Sequence, residues 1–270
     1  MTQGAANVKG SARLTGFEAP RYFFGVNVFE LPVLAGARGL ACRLFGRGAG
    51  PRPDPAELVR LLGLPGGSVV ATARQVHSSR CLVVDAQDAS MSPGGRLDAG
   101  EGDALLTIRT GLALGVATAD CLPIAAVDPE ARALAVVHAG WRGTVDGVLA
   151  AALTRMIADL GARPERILVG AGAGAGACCY RVGGEVVERF SRQRPAHAAA
   201  VFSKRAGGSV HLDLVEANRL QALDAGVARE RFGALPMCTI CRPDLFPSYR
   251  RDGASAGRMW LLAALTEQTI

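Results

Sequence analysis

Short apolar runs between turn residues are the main pattern in the first half of the chain. Six such runs predict β-strands, and they cover residues 68–71, 81–84, 104–107, 112–117, 124–127 and 134–137. Residues 1–25 lack this periodicity and are rich in small residues near the start. We therefore expect a flexible N-terminal tail over residues 1–25.

Helical periodicity dominates the second half. The strongest apolar stripe begins at Thr144 and ends before Gly161, with spacings of three and four that predict one long helix. Further helices are predicted at 54–63, 183–191 and 213–225, and a short strand at 167–169, whereas 259–265 fits a strand or a helix. Strands cluster before residue 140 and helices after it, without a repeat or linker. This order favours a single α+β domain with mixed sheets over residues 26–270.

Composition limits the partners. The 270-residue chain is 49% hydrophobic and carries a formal net charge of +6, almost all of it from arginine. The arginines are scattered and no nucleic-acid-binding module accompanies them, so we expect no nucleic-acid partner. A compositional bias and a site for an anionic substrate both remain open. Without a signal-like segment or an apolar run of about 18 residues, we expect a cytoplasmic protein with reduced thiols and no membrane partner.

Three segments carry candidate metal ligands. His77 follows a predicted strand, Cys121 joins two apolar runs, and His138 opens the segment His-Ala-Gly-Trp-Arg-Gly. Two imidazoles and one thiolate leave a fourth tetrahedral position open, as in a catalytic zinc site that activates water. Asp120, beside the thiol, is expected to bind a ligand imidazole or a substrate donor. Without a metal, the same residues suggest a nucleophilic Cys121 with a histidine base.

Three other motifs are less specific. The Gly/Ala alternation of residues 170–177 fits a dinucleotide-binding fingerprint only weakly, and a tight loop with amides facing an anion or the metal pocket is the favoured interpretation. Cys238-x-x-Cys241 could be redox-active or could share a structural zinc with Cys178 and Cys179, although buried thiols are favoured. The arginines of residues 248–258 suit either an anionic ligand or an internal ion-pair network.

Together the motifs resemble one family, the bacterial laccase-domain or polyphenol oxidase-like proteins, which include purine nucleoside phosphorylases and peptidoglycan editing factors. The matching segments span about residues 70–265. They are 75–77, 102–107, 119–123, 138–143, 178–183, 212–218, 238–239, 248–253 and 257–259.

The resemblance implies a fold similar to the catalytic domain of cytotoxic necrotizing factors, with α/β/β/α layers. It implies one zinc ion per chain on His77, Cys121 and His138. From its place beside the thiol, we count Asp120 with these three among the catalytic residues. The resemblance also implies phosphorolysis of adenosine, inosine, guanosine or methylthioadenosine and deamination of adenosine, with nucleoside and phosphate as partners. We expect Arg47, Arg142 and Arg250 to bind substrate, and the protein to be a monomer.

Alternatives remain at this point. A peptidoglycan-precursor editing amidase, acting on a UDP-muramoyl-amino acid, could use the same centre. Copper-dependent polyphenol oxidation fits poorly because only four histidines are present. A non-enzymatic interaction module would leave the three ligands unexplained. The chain also departs from the family around the site, where the segment between residues 50 and 57 is short and Arg181 replaces the usual glutamate. Substrate preference therefore stays open.

Overall fold

The computed structural model describes residues 21–23, 25–50, 53–85 and 95–267. Sixteen strands and seven α-helices account for most of them. The strands are β1 (Arg21–Phe23), β2 (Val26–Phe29), β3 (Leu40–Phe45), β4 (Val69–Arg74), β5 (Cys81–Val83), β6 (Arg96–Glu101), β7 (Ala104–Thr107), β8 (Leu112–Thr118), β9 (Leu122–Asp128), β10 (Ala133–Ala139), β11 (Leu168–Ala171), β12 (Arg181–Val182), β13 (Phe202–Lys204), β14 (Val210–Leu212), β15 (Phe232–Ala234) and β16 (Met259–Leu265). The helices are α1 (Pro55–Leu62), α2 (Trp141–Asp146), α3 (Val148–Leu160), α4 (Gly184–Gln193), α5 (Pro195–Val201), α6 (Leu214–Asp224) and α7 (Tyr249–Asp252).

Two large mixed sheets lie face to face. The seven-stranded sheet has the order β1-β2-β3-β16-β8-β4-β6, and the six-stranded sheet has the order β15-β11-β9-β10-β7-β5. Alternation along β16 fixes the layers: Leu261 and Ala263 join the apolar core between the sheets, whereas Trp260 and Leu262 pack with α1 on the outer side. The outer face of the six-stranded sheet is covered by α2 to α6. The predicted α+β class with α/β/β/α layers is therefore confirmed.

Local sequence explains the helix ends. Asp54 caps α1 by accepting a hydrogen bond from Ala56 N, and Asp213 caps α6 through Glu216 N. The predicted single helix from Thr144 to Leu160 is wrong: it begins earlier, at Trp141, and is broken at Gly147. Gly147 has a φ of 85°, in the left-handed region that suits glycine, and it ends α2 while starting α3.

Two further expectations need correction or completion. Residues 21–23, assigned to the tail by the sequence, form the edge strand β1, which pairs with β2 in antiparallel register. The first twenty residues of that expected tail lie outside the described residues. Residues 259–265 form a strand, because β3 and β8 pair with it on both sides. Within the described ranges, no helix is both long and apolar enough to cross a bilayer.

Candidate metal centre

Strand topology brings the three predicted ligands to one place. His77 follows β4 and Cys121 lies between β8 and β9; β4 and β8 are parallel neighbours, so their carboxyl ends share one edge of the sheet. His138 lies near the end of β10, where it pairs with Pro123 at the start of β9. The ligand atoms of His77, Cys121 and His138 all lie within 4.8 Å of one another. The three residues could therefore hold a metal ion.

The backbone is strained at one ligand, His77, and at Asp120, which directly precedes the ligand Cys121. His77 has a φ of 60° and Asp120 has a φ of 82°, both in the left-handed region that non-glycine residues rarely adopt. Such strain persists only where surrounding contacts impose it. The two segments are thus held in defined conformations, which bring the His77 imidazole and the Cys121 thiol together. Nε2 of His77 lies 3.9 Å from Sγ of Cys121.

Asp103 organises the centre from behind. Its carboxylate, 1% exposed, accepts hydrogen bonds from the backbone N–H groups of Val76, His77 and Ser78 and from the Ser78 hydroxyl. Its Oδ1 also lies 2.8 Å from His138 Nδ1. This carboxylate leaves Nε2 of His138 for the metal position, in the manner of a carboxylate–histidine–metal arrangement.

The electrostatics follow from these contacts. Burial raises the pKa of the Asp103 carboxyl, but its hydrogen bonds with His138 and Ser78 outweigh burial and hold that pKa at about 2. Burial lowers the pKa of His138, whereas its bonds with Asp103 and Cys121 raise it to about 9. Burial likewise raises the pKa of the Cys121 thiol, and the two histidines bring it down to about 6. At neutral pH and without a metal, these values favour a Cys121 thiolate beside a protonated His138, so a metal ion would have to displace the His138 proton.

Asp103 was missed as a site residue, and it binds the His138 imidazole that was one of the two partners expected for Asp120, the other being a substrate donor. Oδ1 of Asp120 accepts a 2.6 Å hydrogen bond from the Thr239 hydroxyl, and Oδ2 accepts one from the backbone N–H of Arg250. Asp120 thus ties two loops to the centre, while Asp103 holds the ligand histidine. The signal for Asp103 was available: an acidic residue directly before the fully buried strand β7 needs a buried partner.

Gly140 leaves room at the centre. A Cβ atom on this residue would lie 2.8 Å from Cys121 Sγ and 3.0 Å from His77 Cδ2. Any side chain would therefore displace two of the three ligands. The donor set, the oriented His138 ring and this missing side chain together fit a bound transition-metal ion.

A cavity of about 470 Å³ opens over the centre, within the usual size range of small-molecule sites. Besides the three ligands and Asp120, its lining residues are Gln75, Ala117, Thr118, Ala119, Tyr180, Tyr249, Arg250 and Arg258. Burial raises the pKa of Tyr180 to about 12, so its hydroxyl stays protonated. Thr118 Oγ1 is buried and has no hydrogen-bond partner among the described residues.

Of the three arginines predicted to bind substrate, one lines the cavity and two do not. Arg250 lines the cavity and lies over the Tyr180 ring, 5.1 Å from its centroid. Arg142 stacks on Trp141 and is not among the cavity's lining residues. Arg47 donates to the carbonyl of Phe246 at 3.3 Å and also stays outside the lining. Arg258, which belongs to the arginine-rich segment 248–258, does line the cavity.

The Gly/Ala-rich loop, residues 170–177, is hydrogen-bonded to the backbone near the centre. The amide of Gly172 donates to the Pro123 carbonyl, and that of Ala175 donates to the Asp120 carbonyl. These amides therefore bind backbone oxygens instead of facing an anion. The loop continues into a turn at residues 177–179 in place of the helix that a dinucleotide fingerprint opens.

Comparison with known proteins agrees with this architecture. Residues 54–266 match the family described as multi-copper polyphenol oxidoreductase laccase, and the chain belongs to this family. It is 36% identical over 257 residues to a purine nucleoside phosphorylase of Deinococcus radiodurans, covering 89% of this chain and 94% of that protein. It is 39% identical over 186 residues to adenosine deaminase RL5 of an unknown prokaryotic organism, covering 68% and 71% of the two chains. The crystal structure of YlmD from Geobacillus stearothermophilus superposes with a TM-score of 0.79 at 28% identity, covering 93% and 99%.

Proposed function

We propose that the chain is a zinc-dependent purine nucleoside phosphorylase with adenosine deaminase activity, acting on adenosine, inosine, guanosine and methylthioadenosine. The observation that carries the proposal is the convergence of His77, Cys121 and His138, backed by Asp103, at a cavity with basic residues in its wall. The names of the relatives, a purine nucleoside phosphorylase and an adenosine deaminase, support the two activities.

Zinc is the metal that this donor set favours. One thiolate and two neutral imidazoles are common zinc ligands, and three protein ligands leave one position for substrate or water. A bound zinc ion supplies Lewis acidity and lowers the pKa of water. Copper oxidation of phenols needs more histidine than this chain offers. Of its four histidines, His197 pairs with Asp224 and His211 contacts the Ala177 carbonyl.

The chain's own residues divide the remaining work. His77, Cys121 and His138 would hold the ion, and Asp103 keeps the His138 ring oriented. Tyr180, as a protonated phenol, donates a hydrogen bond to a purine or ribose acceptor. Residues of the basic wall, Arg250 and Arg258, attract phosphate.

The two reactions balance simply. In phosphorolysis, phosphate replaces the base at ribose C1′ and gives free base and ribose 1-phosphate. In deamination, water adds at adenine C6 and ammonia leaves, which gives inosine. Phosphate takes part only in the first reaction, so the two activities can be separated at the arginines.

The test follows products from adenosine with and without phosphate, by chromatography. We expect adenine and ribose 1-phosphate only with phosphate, and inosine in both. Cys121→Ser should abolish both activities, whereas Cys81→Ser, at a half-buried thiol outside the site, should keep them. Arg258→Met should raise the KM for phosphate at least tenfold and spare deamination, with exposed Arg192→Met as control. Full turnover by metal-free Cys121→Ser would contradict the zinc mechanism.

A second candidate function has one structural observation in its favour. A further cavity of about 460 Å³ shares Gln75, Ala117 and Arg258 with the first, and its wall adds Arg74 and Arg96. A substrate longer than a nucleoside, with phosphates, could occupy both. This favours an amidase that edits a UDP-muramoyl-amino acid. Release of an amino acid from such a precursor, with no product from nucleosides, would select it.

A further inference from the structure

Four cysteines from two loops meet beside the end of the Gly/Ala-rich loop, at Gly176. Cys178 and Cys179 lie in the turn before β12, and Cys238 and Cys241 lie in the segment after β15. Their sulfur atoms all lie within 4.8 Å of one another. Sγ of Cys241 is 3.6 Å from that of Cys178 and 3.3 Å from that of Cys179. The other described cysteines outside the metal centre, Cys42 and Cys81, do not join this group.

The spacing of the sulfurs suits one tetrahedral ion. With zinc–sulfur bonds of about 2.3 Å, the corners of a tetrahedron lie roughly 3.8 Å apart. The distances from Cys241 Sγ to the other two sulfurs, 3.3 and 3.6 Å, are close to that value. They exceed the disulfide bond length of about 2.05 Å. Clusters of several irons place inorganic atoms between the cysteine sulfurs, so four sulfurs this close can enclose only a single ion.

The surrounding backbone is arranged for a thiolate cluster. The Gly176 N–H donates to Cys238 Sγ at 3.2 Å. A Cβ on Gly176 would lie 3.1 Å from Cys238 Cβ and 3.3 Å from Cys178 Sγ, so a side chain here would press against two of the cysteines. Four thiolates with one divalent ion carry a net charge of −2. The Arg251 guanidinium lies beside the cluster and donates to the carbonyls of Thr239 and Ile240, although its charge is already paired with the Asp252 carboxylate.

We propose that Cys178, Cys179, Cys238 and Cys241 together bind a structural zinc ion. Four protein ligands close the coordination sphere, which is the property of structural rather than catalytic zinc sites. The ion would join the Gly/Ala-rich loop to the segment that carries Thr239, the residue that holds Asp120. It would also fix the position of Tyr180, which follows Cys179 and lines the cavity. This proposal is independent of the proposed function, and it raises the expected zinc content to two ions per chain.

The first experiment measures zinc per chain in purified protein by mass spectrometry. We expect two equivalents in the wild type, one in Cys121→Ser and one in Cys241→Ser. Cys81→Ser should keep both equivalents. Cobalt loaded into the Cys121→Ser protein should give the visible bands and the sulfur-to-cobalt charge transfer of a tetrathiolate. That spectrum distinguishes this site from the mixed nitrogen and sulfur centre.

A second measurement uses the wild type alone, in case Cys241→Ser does not fold. Alkylation followed by peptide mapping should show the four thiols protected as purified and reactive after a strong chelator is added. Three results would overturn the proposal: a single zinc that Cys121→Ser removes, iron in place of zinc, or a disulfide among these four cysteines. None of these readouts depends on nucleoside turnover, so failure here and failure of the proposed function are distinguishable.

Discussion

Asp103→Asn should weaken both metal binding and folding, because the single amide oxygen of asparagine would have to replace two carboxylate oxygens that both accept hydrogen bonds. In the native protein, Oδ1 faces His138 Nδ1 and His77 N, and Oδ2 accepts from Val76 N, Ser78 N and the Ser78 hydroxyl. An amide group at the Oδ2 position would face two backbone donors. In the opposite orientation it would donate to His138 Nδ1 and force the proton onto Nε2, the atom needed for the metal.

The magnitude can be worked out from these contacts. Two backbone N–H groups left without acceptors cost about 1–3 kcal/mol each, so we expect a loss of about 2–6 kcal/mol in the free energy of unfolding. Removing the carboxylate behind a ligand histidine lowers metal affinity about 10–100-fold. That range corresponds to about 1.4–2.7 kcal/mol of binding free energy.

Two assays separate the effects. Urea unfolding of the chelator-treated protein measures stability without metal, and competition with a chromophoric chelator measures zinc affinity. Asp159→Asn, on the exposed face of α3, is the matched control and should stay within about 0.5 kcal/mol of the wild type. Wild-type zinc affinity together with wild-type stability in Asp103→Asn would refute the organising role of this carboxylate.

Two further predictions concern other positions. Gly140→Ala should lower zinc affinity at least tenfold, measured by chelator competition, because the new methyl group would meet Cys121 Sγ at 2.8 Å. Gly184→Ala is the control, since a Cβ there meets no atom within 4 Å. Equal zinc affinities of the two variants would contradict the steric argument. Asp128→Asn should destabilise the fold by about 3 kcal/mol in urea unfolding, because this fully buried carboxylate binds Arg166. Burial raises the pKa of Asp128, but its hydrogen bonds lower that pKa on balance. The stabilisation from the ionised carboxylate is therefore complete at neutral pH and is lost as the pH falls below about 4. The difference in unfolding free energy between wild type and variant should thus shrink in acid. A difference that grows in acid would contradict this sign.

The sequence predicts the central strands and the three ligands because both depend on local signals. Alternating or continuous apolar runs mark β7 to β10, and a histidine or cysteine at a strand end is visible in the chain itself. By contrast, β6 (Arg96–Glu101) is largely polar, and only its pairing with β4 makes it a strand. The state of residues 259–265 also depends on partners far away in sequence.

Long-range side-chain contacts account for the remaining errors. Asp103 lies 35 residues from His138 in the chain, so no local pattern links them. Asp120 is adjacent to a ligand, yet its partners come from residues 239 and 250. The break at Gly147 was missed because a single glycine inside a helical pattern costs only about 1 kcal/mol and is often tolerated. The four-cysteine cluster needs the fold to bring two distant turns together.

The position of β16 has a consequence for how the protein is made. This strand lies between β3 and β8 in the middle of the seven-stranded sheet, although it is the last of the described strands in chain order. During synthesis, β3 and β8 therefore have one open edge each until residue 265 has left the ribosome. Unpaired strand edges promote association with other chains. We expect the nascent chain to depend on chaperones until β16 has emerged, and the seven-stranded sheet to close in a single step at that point.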